Sequence, residues 1–388
     1  MVSAAYATKL LADLGAEVIK VERPGFGDAS RHYGPFPGDE PDPENSGLFL
    51  YLNMNKLGIT LDPCSDGGKG ILKGLVSSAD ILVQNYAPPV AGEMGLCYPD
   101  LQETNPDLIM LSLSPYGGTG PYRDYKGYEI NAASLGGVVM HLGLPERSPL
   151  NPPQMLGHYQ VAVTGAMAVM IALVTRDLGG TGQHIDLAEA DSWATFHAGV
   201  GIVQWLFGLR TTIRHGRRVR GGPYPNTILP CKDGEIRMQA MTKREWNRIL
   251  EMMGDPEWGR DARFQDRLKM HELYADELDG YIGAWLKERT KGELSQLFYE
   301  YGVPFTPVNT IADFVNDPHL AAREFFVEME HQRAGMMKYP GKPYQFSETP
   351  WEVRRPAPLL GEHNADVYCG LLGYDSRQLV KLRQSAVI

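Results

Sequence analysis

The stretch YATKLLADLGAEVIKVE, residues 6–22, decides the fold class of this chain. Apolar residues recur at helical spacing from Ala5 to Leu14, and Gly15 is a natural end for a helix. Residues Glu17 to Glu22 then alternate in hydrophobicity, which is typical of a strand. The pattern indicates the second half of a β-α-β unit. Only four residues precede the helix, so the strand that would feed it is expected to be missing from this sequence.

Two further strands are predicted downstream, at Ile81 to Gln84 and at Leu108 to Ser112, and each follows a helical or polar stretch. This alternation predicts a mostly parallel sheet covered by helices, and hence an α/β domain over residues 1–205. A dinucleotide-binding fold is disfavoured, because the segment before the first helix lacks the GxGxxG signature that such folds need.

The second half of the chain has a different pattern. The basic, glycine-bearing stretch RHGRRVRGGPYP, residues 214–225, leads into a predicted strand around Gly234 to Gln239, and short charged helices follow. We therefore predict a smaller α+β domain over residues 206–320. The last segment, residues 321–388, is rich in strand and loop patterns and ends in a predicted helix, Ser376 to Gln384.

Composition and charge disfavour several classes of function. The 47 acidic and 37 basic residues give a net charge of −10, which opposes a broad electrostatic grip on nucleic acid or anionic membrane. The four cysteines lack CxxC spacing, which argues against a zinc site and a disulfide framework. The longest apolar run, Val161 to Val174, covers about 14 residues where a bilayer span needs about 20, so a buried helix is expected. Without a signal-like N-terminus, we expect a cytoplasmic protein with no membrane partner.

Eight segments resemble, in the same order, those of class III CoA transferases of the CaiB/BaiF type, the family of formyl-CoA transferase. They are YATKLLADLGAEVIKVERPGFGDASR, NMNKLGITLD, VQNYAPP, SLSPYGGTGPYRD, TRDLGGTGQHIDLAEAD, CKDGEIRMQAM, GVPFTPVNTIADFVNDPHLAARE and APLLGEHN. Each segment alone is weakly specific, and the series is specific because order and spacing both agree. The resemblance covers essentially the whole chain.

The resemblance implies an unusual architecture. A Rossmann-like large domain would be formed by residues 1–205 together with the C-terminal segment 321–388, with the small domain between them. Two subunits would be threaded through each other as an interlocked dimer, in which a separate monomer is unstable. The expected ligands are coenzyme A (CoA) or an acyl-CoA thioester and a small carboxylic acid. The expected protein partner is a homologous subunit, and no metal is expected.

The resemblance also assigns residues to CoA binding. Arg31 matches a family arginine near the nucleotide, Asn85 and Tyr86 match a pair that lies against the adenine, and Lys126 matches a lysine near the pantetheine or phosphates. An acidic protein must place such cations where the phosphates of CoA bind. The remaining expected contacts are Val2, Ser3, Leu61 and Val90. Each assignment has an alternative. Arg31 would be a surface arginine, and residues 85–86 would form a simple strand-to-turn transition. Leu61 and Val90 would pack in the core.

The expected catalytic position holds no carboxylate. In the family, an aspartate at the start of an apolar helix attacks the thioester carbonyl and later carries CoA as an enzyme thioester. A gap-free count back from TRDLGGTGQ puts His158 at this position, and an alignment with one extra residue puts Gly157 there. No Asp or Glu occurs between Glu146 and Asp177. A CoA thioester cannot form on the imidazole nitrogen of His158. Tyr128 matches a position that faces the family's active site and is the second catalytic candidate.

Three interpretations remain open from the sequence. The first is a subunit of a heteromeric CoA transferase whose partner supplies the aspartate, similar to the non-aspartate subunit of succinyl-CoA:benzylsuccinate CoA-transferase. The second is a homomeric enzyme of altered chemistry, such as an acyl-CoA hydrolase or isomerase that uses His158 as a general base. The third is a non-catalytic CoA-binding subunit, in which His158 only caps a helix.

Overall fold

The computed structural model describes residues 1–197, 199–209, 214, 216–219 and 222–388. The chain divides into two compact units, of which the first consists of residues 1–140, 151–211 and 321–388. The second unit consists of residues 141–150 and 212–320. The prediction from sequence assigns residues 141–150 to the large domain, whereas this segment belongs to the second unit.

The first unit contains the two parallel sheets and most of the helices. Its elements in chain order are α1 Ser3–Ala12, β1 Val18–Glu22, α2 Gly47–Asn53, β2 Lys56–Thr60, α3 Asp66–Ser78, β3 Ile81–Gln84, α4 Pro88–Glu93, α5 Tyr98–Thr104, β4 Ile109–Ser114, α6 Glu129–Leu135, α7 Leu156–Asp177, β5 His184–Ala188, α8 Glu189–Phe196 and α9 Gly199–Gly208. The second unit and the C-terminal segment continue with β6 Asn226–Pro230, β7 Glu235–Gln239, α10 Lys243–Met252, α11 Arg267–Leu273, α12 Ala275–Lys287, α13 Lys291–Tyr301, β8 Thr306–Val308, α14 Ile311–Val315, α15 Pro318–Ala322, β9 Phe326–His331, β10 Gly335–Pro340 and α16 Ser376–Gln384.

The sheets of the first unit place several loops at one edge. Strand β1 pairs with β2, and β4 lies between β3 and β5 in a second sheet, with all of these pairs parallel. The predicted parallel α/β fold is therefore confirmed, and β3 has the predicted bounds. Because parallel strands end at a common edge, the residues that follow Gln84, Ser114 and Ala188 lie along the edge where α/β folds bind ligands.

The C-terminal segment packs into the first unit. The side chain of Asn364 accepts a hydrogen bond from the Thr60 amide at 2.9 Å and donates to the Thr60 hydroxyl at 2.8 Å. The Tyr368 hydroxyl donates to the carbonyl oxygen of the same residue at 2.7 Å. Tyr368 also shares a hydrophobic core with Ile59 and Leu72. Strand β2 is thus fixed by residues about 300 positions later in the chain. An antiparallel hairpin, β9 and β10, belongs to the same segment.

Helix α7 is longer and more exposed than predicted. It has 22 residues and, among the described residues, is the one helix long and apolar enough to cross a bilayer by length and composition. One face packs against strand β4 through Val161 and Val169. The opposite face exposes five large apolar side chains, those of Val163, Met167, Met170, Ile171 and Val174. The prediction of a buried helix is right for one face and wrong for the other, because the apolar run does not distinguish the two faces.

The second unit has its own core. Strands β6, β7 and β8 form an antiparallel sheet, and α10, α12 and α13 pack on it through Trp246, Leu278 and Leu294. The strand predicted around residues 234–239 is confirmed as β7.

Candidate functional site

Two glutamates converge on the start of α7, and the first of them caps the helix. Glu129 begins α6, and its Oε2 accepts a hydrogen bond from the Met155 amide at 2.7 Å. Its Oε1 accepts one from the Gly157 amide at 2.5 Å. The first amides of a helix have no intrahelical partner, and the positive end of the helix dipole favours an anion there. Glu129 therefore fixes the position of the first turn of α7.

The second glutamate lies beside the histidine of interest. Glu189 directly follows β5, and its Oε2 is 3.3 Å from Nδ1 of His158, although the two atoms lack the alignment of a hydrogen bond. The Glu189 side chain is 5% exposed and that of His158 28%. Oε1 of Glu189 and Nε1 of Trp193, on the next turn of α8, are also buried without a hydrogen-bond partner. Such atoms are rare in folded proteins, so their grouping singles out this cluster as a candidate reaction centre.

Gly157 has no room for a side chain. A Cβ atom added there would lie 2.4 Å from Oε1 of Glu189 and 2.6 Å from Nε1 of Trp193. Both distances are about 1 Å shorter than an ordinary van der Waals contact. An aspartate at position 157 is therefore incompatible with this packing. Of the two residues that the sequence places at the catalytic position, His158 is the one that presents a side chain.

Several predicted CoA residues meet at the carboxyl end of β3. Asn85 follows this strand, and its Nδ2 donates to Oγ of Ser3 at 3.0 Å. The Tyr86 ring, 43% exposed, and the Val90 side chain, 42% exposed, lie on the segment that follows. The Tyr86 amide donates to Oε1 of Gln84 at 2.6 Å, which fixes the turn. An accessible ring and an aliphatic side chain at the end of a parallel strand suit a planar base.

Arg31 does not reach the surface. Its guanidinium is fully buried and makes two hydrogen bonds to the Glu22 carboxylate, at 2.7 and 2.9 Å. A third goes to Glu44 at 2.7 Å, and the group lies 3.6 Å from the ring centroid of Phe49. Two carboxylates thus occupy donors of the Arg31 guanidinium, and its place near the nucleotide of CoA stays a prediction. Its observed role is to join β1 to the loop that precedes α2.

The other assigned residues divide into core and surface. Val2 and Leu61 are each 1% exposed and belong to hydrophobic cores, and their contact with CoA stays a prediction. Lys126 is exposed in the loop before α6. Tyr128, which precedes Glu129, is 80% exposed. Within the described part of the chain, no hydrogen bond or ring contact joins Tyr128 to His158.

An open cleft of about 780 Å³ lies along another side of α7. Its lining is mostly apolar and includes Tyr6, Tyr51, Leu156, Tyr159, Gln160, Val163, Phe196, His197 and Pro340. Burial raises the pKa of the three tyrosines, so they remain neutral at physiological pH. A volume of this size accommodates a small organic ligand. Its walls include residues on both sides of His158 in the sequence.

Within the second unit, the three described arginines of the basic stretch, residues 214–225, bind acceptors of the chain itself. Arg214 donates to the carbonyl oxygens of residues 144, 145 and 147, and Arg217 and Arg218 both pair with Asp279. Arg220 and Gly221, from the same stretch, lie outside the described residues. Among the residues that are described, no three His, Cys, Asp or Glu side chains group as metal ligands.

Sequence reasoning missed both glutamates. The search for a replacement carboxylate covers only residues 146–177, whereas the fold brings Glu129 and Glu189 in from either side of that window. A signal exists for Glu189 in the alternating stretch His184–Ala188, which forms the parallel strand β5 and places the next residue at the edge where ligands bind.

Comparisons with known proteins concern the family and the fold of the chain. A model of CoA-transferase family III matches residues 1–364. The chain belongs to CoA-transferase family III. It is 31% identical to the beta subunit of succinyl-CoA–L-malate CoA-transferase from Chloroflexus aurantiacus, over 100% of this chain and 95% of that protein. It is also 31% identical to subunit BbsE of succinyl-CoA:(R)-benzylsuccinate CoA-transferase from Thauera aromatica, over 97% and 93% of the two chains. A crystal structure of a CaiB/BaiF family protein from Brucella suis superimposes with a TM-score of 0.84, at 27% identity, over 95% of this chain and 96% of that one.

Proposed function

We propose that this family III chain is one subunit of a CoA transferase, and that a homologous subunit supplies the nucleophilic aspartate. The observation that carries the proposal lies at the start of α7, where the chain presents His158 at the position that the gap-free count assigns to the aspartate. The other aligned position, Gly157, leaves no space for a carboxylate. Because an imidazole cannot carry the enzyme-bound CoA thioester, the covalent step requires a carboxylate from elsewhere.

CoA would bind along the carboxyl edge of the parallel sheet. Ser3 and Asn85 are already joined there by a hydrogen bond, and Tyr86 and Val90 offer accessible surface for the adenine. Lys126, exposed before α6, would contact the phosphates or the pantetheine as a point charge. The acyl end of the thioester would then lie near His158 and Tyr128.

The exposed apolar surface supports a protein partner. In α7 and α9, large apolar side chains point away from this chain's own cores, which is unusual for a monomer. They belong to Val163, Met167, Met170, Ile171, Val174, Ile202, Val203, Trp205, Leu206 and Phe207. A homologous subunit interlocked with this one would cover them. We place the assembly in the cytoplasm, where the four free cysteines would remain reduced.

The names of the two relatives suggest the substrate class. Both specify succinyl-CoA as one substrate, together with L-malate or benzylsuccinate as the other. We therefore infer that succinyl-CoA is the donor and that the acceptor is a dicarboxylic acid.

The proposal is tested by assaying CoA transfer from succinyl-CoA to a panel of dicarboxylic acids. The chain is purified alone and after co-expression with a homologous subunit that carries the aspartate. We expect transfer by the co-expressed pair and none by the chain alone. Full transferase activity of the isolated chain would refute the need for a partner.

The contact between His158 and Glu189 favours a second candidate, an acyl-CoA hydrolase in which His158 is a general base. The same assay distinguishes the two functions. Steady release of free CoA from succinyl-CoA by the isolated chain, abolished by His158→Ala, would identify the hydrolase.

A further inference from the structure

The carboxyl group of Glu189 is a buried acidic group that the proposed transfer reaction does not use. Its side chain is 5% exposed, and Oε1 has no hydrogen-bond partner. A buried carboxylate without a partner is destabilising unless a cation or a donor compensates it. The imidazole of His158 lies close to this carboxylate, with Nδ1 3.3 Å from Oε2. Glu129 does not compete for the imidazole, because both of its oxygens accept backbone amides of α7.

The two nitrogens of His158 have different surroundings. Nδ1 is buried next to Glu189, whereas 28% of the side chain is exposed, so the accessible part of the ring is the part that carries Nε2. A histidine with one nitrogen beside a carboxylate and the other accessible has the geometry of a general base oriented by a third group. Such contacts are often loosely aligned before a ligand binds.

We propose that Glu189 is a positioning residue for His158, and that the pair forms an acid–base centre which exchanges a proton with the sulfur of bound CoA. The inference rests on the proposed function, because it requires CoA to bind beside α7. The S–H bond of the thiol breaks, an N–H bond forms at Nε2, and the electron pair stays on sulfur as a thiolate. Glu189 stabilises the imidazolium that results. In the reverse direction, the imidazolium protonates the thiolate released from a thioester.

One test examines the charge of position 158 without requiring any ligand. His158→Asp and His158→Asn introduce side chains of the same shape that differ in charge. Two carboxylates this close cannot both be ionised without a cost. The Asp variant should therefore melt lower than the Asn variant, by on the order of 5 °C. In the Glu189→Gln background this difference should vanish. Equal melting temperatures of the Asp and Asn variants in the native background would show that position 158 does not face an ionised Glu189, which would overturn the pairing.

A second test follows the thiol itself. CoA is bound to the full chain, and calorimetry measures the fraction of the chain that carries it. The ultraviolet absorbance of the thiolate is then recorded as a function of pH. We expect the thiolate to form at a pH at least about 1 unit lower on the protein than in solution. The shift should be lost in His158→Asn and reduced in Glu189→Gln. Asp191→Asn, on the same turn of α8 but exposed, is the matched control and should leave it unchanged.

The outcomes separate the two proposals. CoA could bind to both chains, and its thiolate could form at the same pH on the native chain and on His158→Asn. This result would refute the acid–base centre and leave the proposed function standing. If no CoA binds at all, both are refuted.

Discussion

Gly157→Ala should destabilise the first unit because the added methyl group has no space. Its carbon would lie 2.4 Å from Oε1 of Glu189 and 2.6 Å from Nε1 of Trp193, so both side chains must move by about 1 Å. Overpacking of this kind costs about 1–3 kcal/mol. Replacing a helical glycine by alanine otherwise gains about 0.5–1 kcal/mol. The free energy of unfolding should therefore fall by up to about 2.5 kcal/mol.

The assay is urea unfolding followed by circular dichroism, with Gly70→Ala as the matched control. Gly70 lies within α3, and a Cβ atom there meets nothing within 4 Å. This variant should gain about 0.5–1 kcal/mol from the helix propensity of alanine alone. If Gly157→Ala were as stable as Gly70→Ala, the packing of Glu189 and Trp193 against the start of α7 would be wrong, and with it the exclusion of a carboxylate at position 157.

Three further outcomes are expected. Arg31→Met should lower the free energy of unfolding by about 3–5 kcal/mol, because it leaves two carboxylates without a cation. The control Arg123→Met, at the surface, should change this free energy by less than about 1 kcal/mol. Equal losses in the two variants would contradict the structural role of the buried Arg31. Burial alone raises the pKa of Asp28, but Lys20 at 2.6 Å, the N-terminal ammonium group and the Ser30 amide together outweigh burial and hold that pKa well below its usual value. The carboxylate therefore stabilises the fold above about pH 4 and loses this effect as the pH falls, so the loss on Asp28→Asn, measured by urea unfolding, should be larger at pH 7 than at pH 3. Met167→Lys, on the exposed face of α7, should shift sedimentation toward a smaller species and lower the melting temperature, because a separate subunit of an interlocked pair is less stable. An unchanged sedimentation distribution would remove this face from the partner interface.

The elements that sequence predicted well are those with strong local patterns. Strand β3 and helix α16 have the predicted bounds. Turn residues delimit the short apolar run of β3, and capping residues delimit the periodic run of α16. The capping box at the start of α16, from Asp375 to Gln378, is visible in the sequence. Helix α7 begins earlier than its apolar core suggests, because Glu129, distant in the sequence, caps its first turn.

The candidate site was less predictable, because it depends on contacts between distant segments. The sequence predicts that Arg31 lies near the nucleotide of CoA. The contacts of its guanidinium with Glu22 and Glu44 become visible only in the fold. Glu189 likewise reaches His158 through the turn from β5 to α8, which no spacing rule reveals. The steric exclusion at Gly157 requires the positions of two neighbouring side chains. Sequence therefore indicates the family and the reacting position, and the packing decides what each side chain can do there.

Mass spectrometry tests directly the proposal that the nucleophilic carboxylate lies on a homologous subunit. The co-expressed pair is incubated with succinyl-CoA, quenched, digested, and searched for a CoA thioester on Asp or Glu side chains. We expect the adduct on an aspartate of the homologous subunit and none on this chain. A CoA thioester on any Asp or Glu of this chain, Glu189 included, would contradict it.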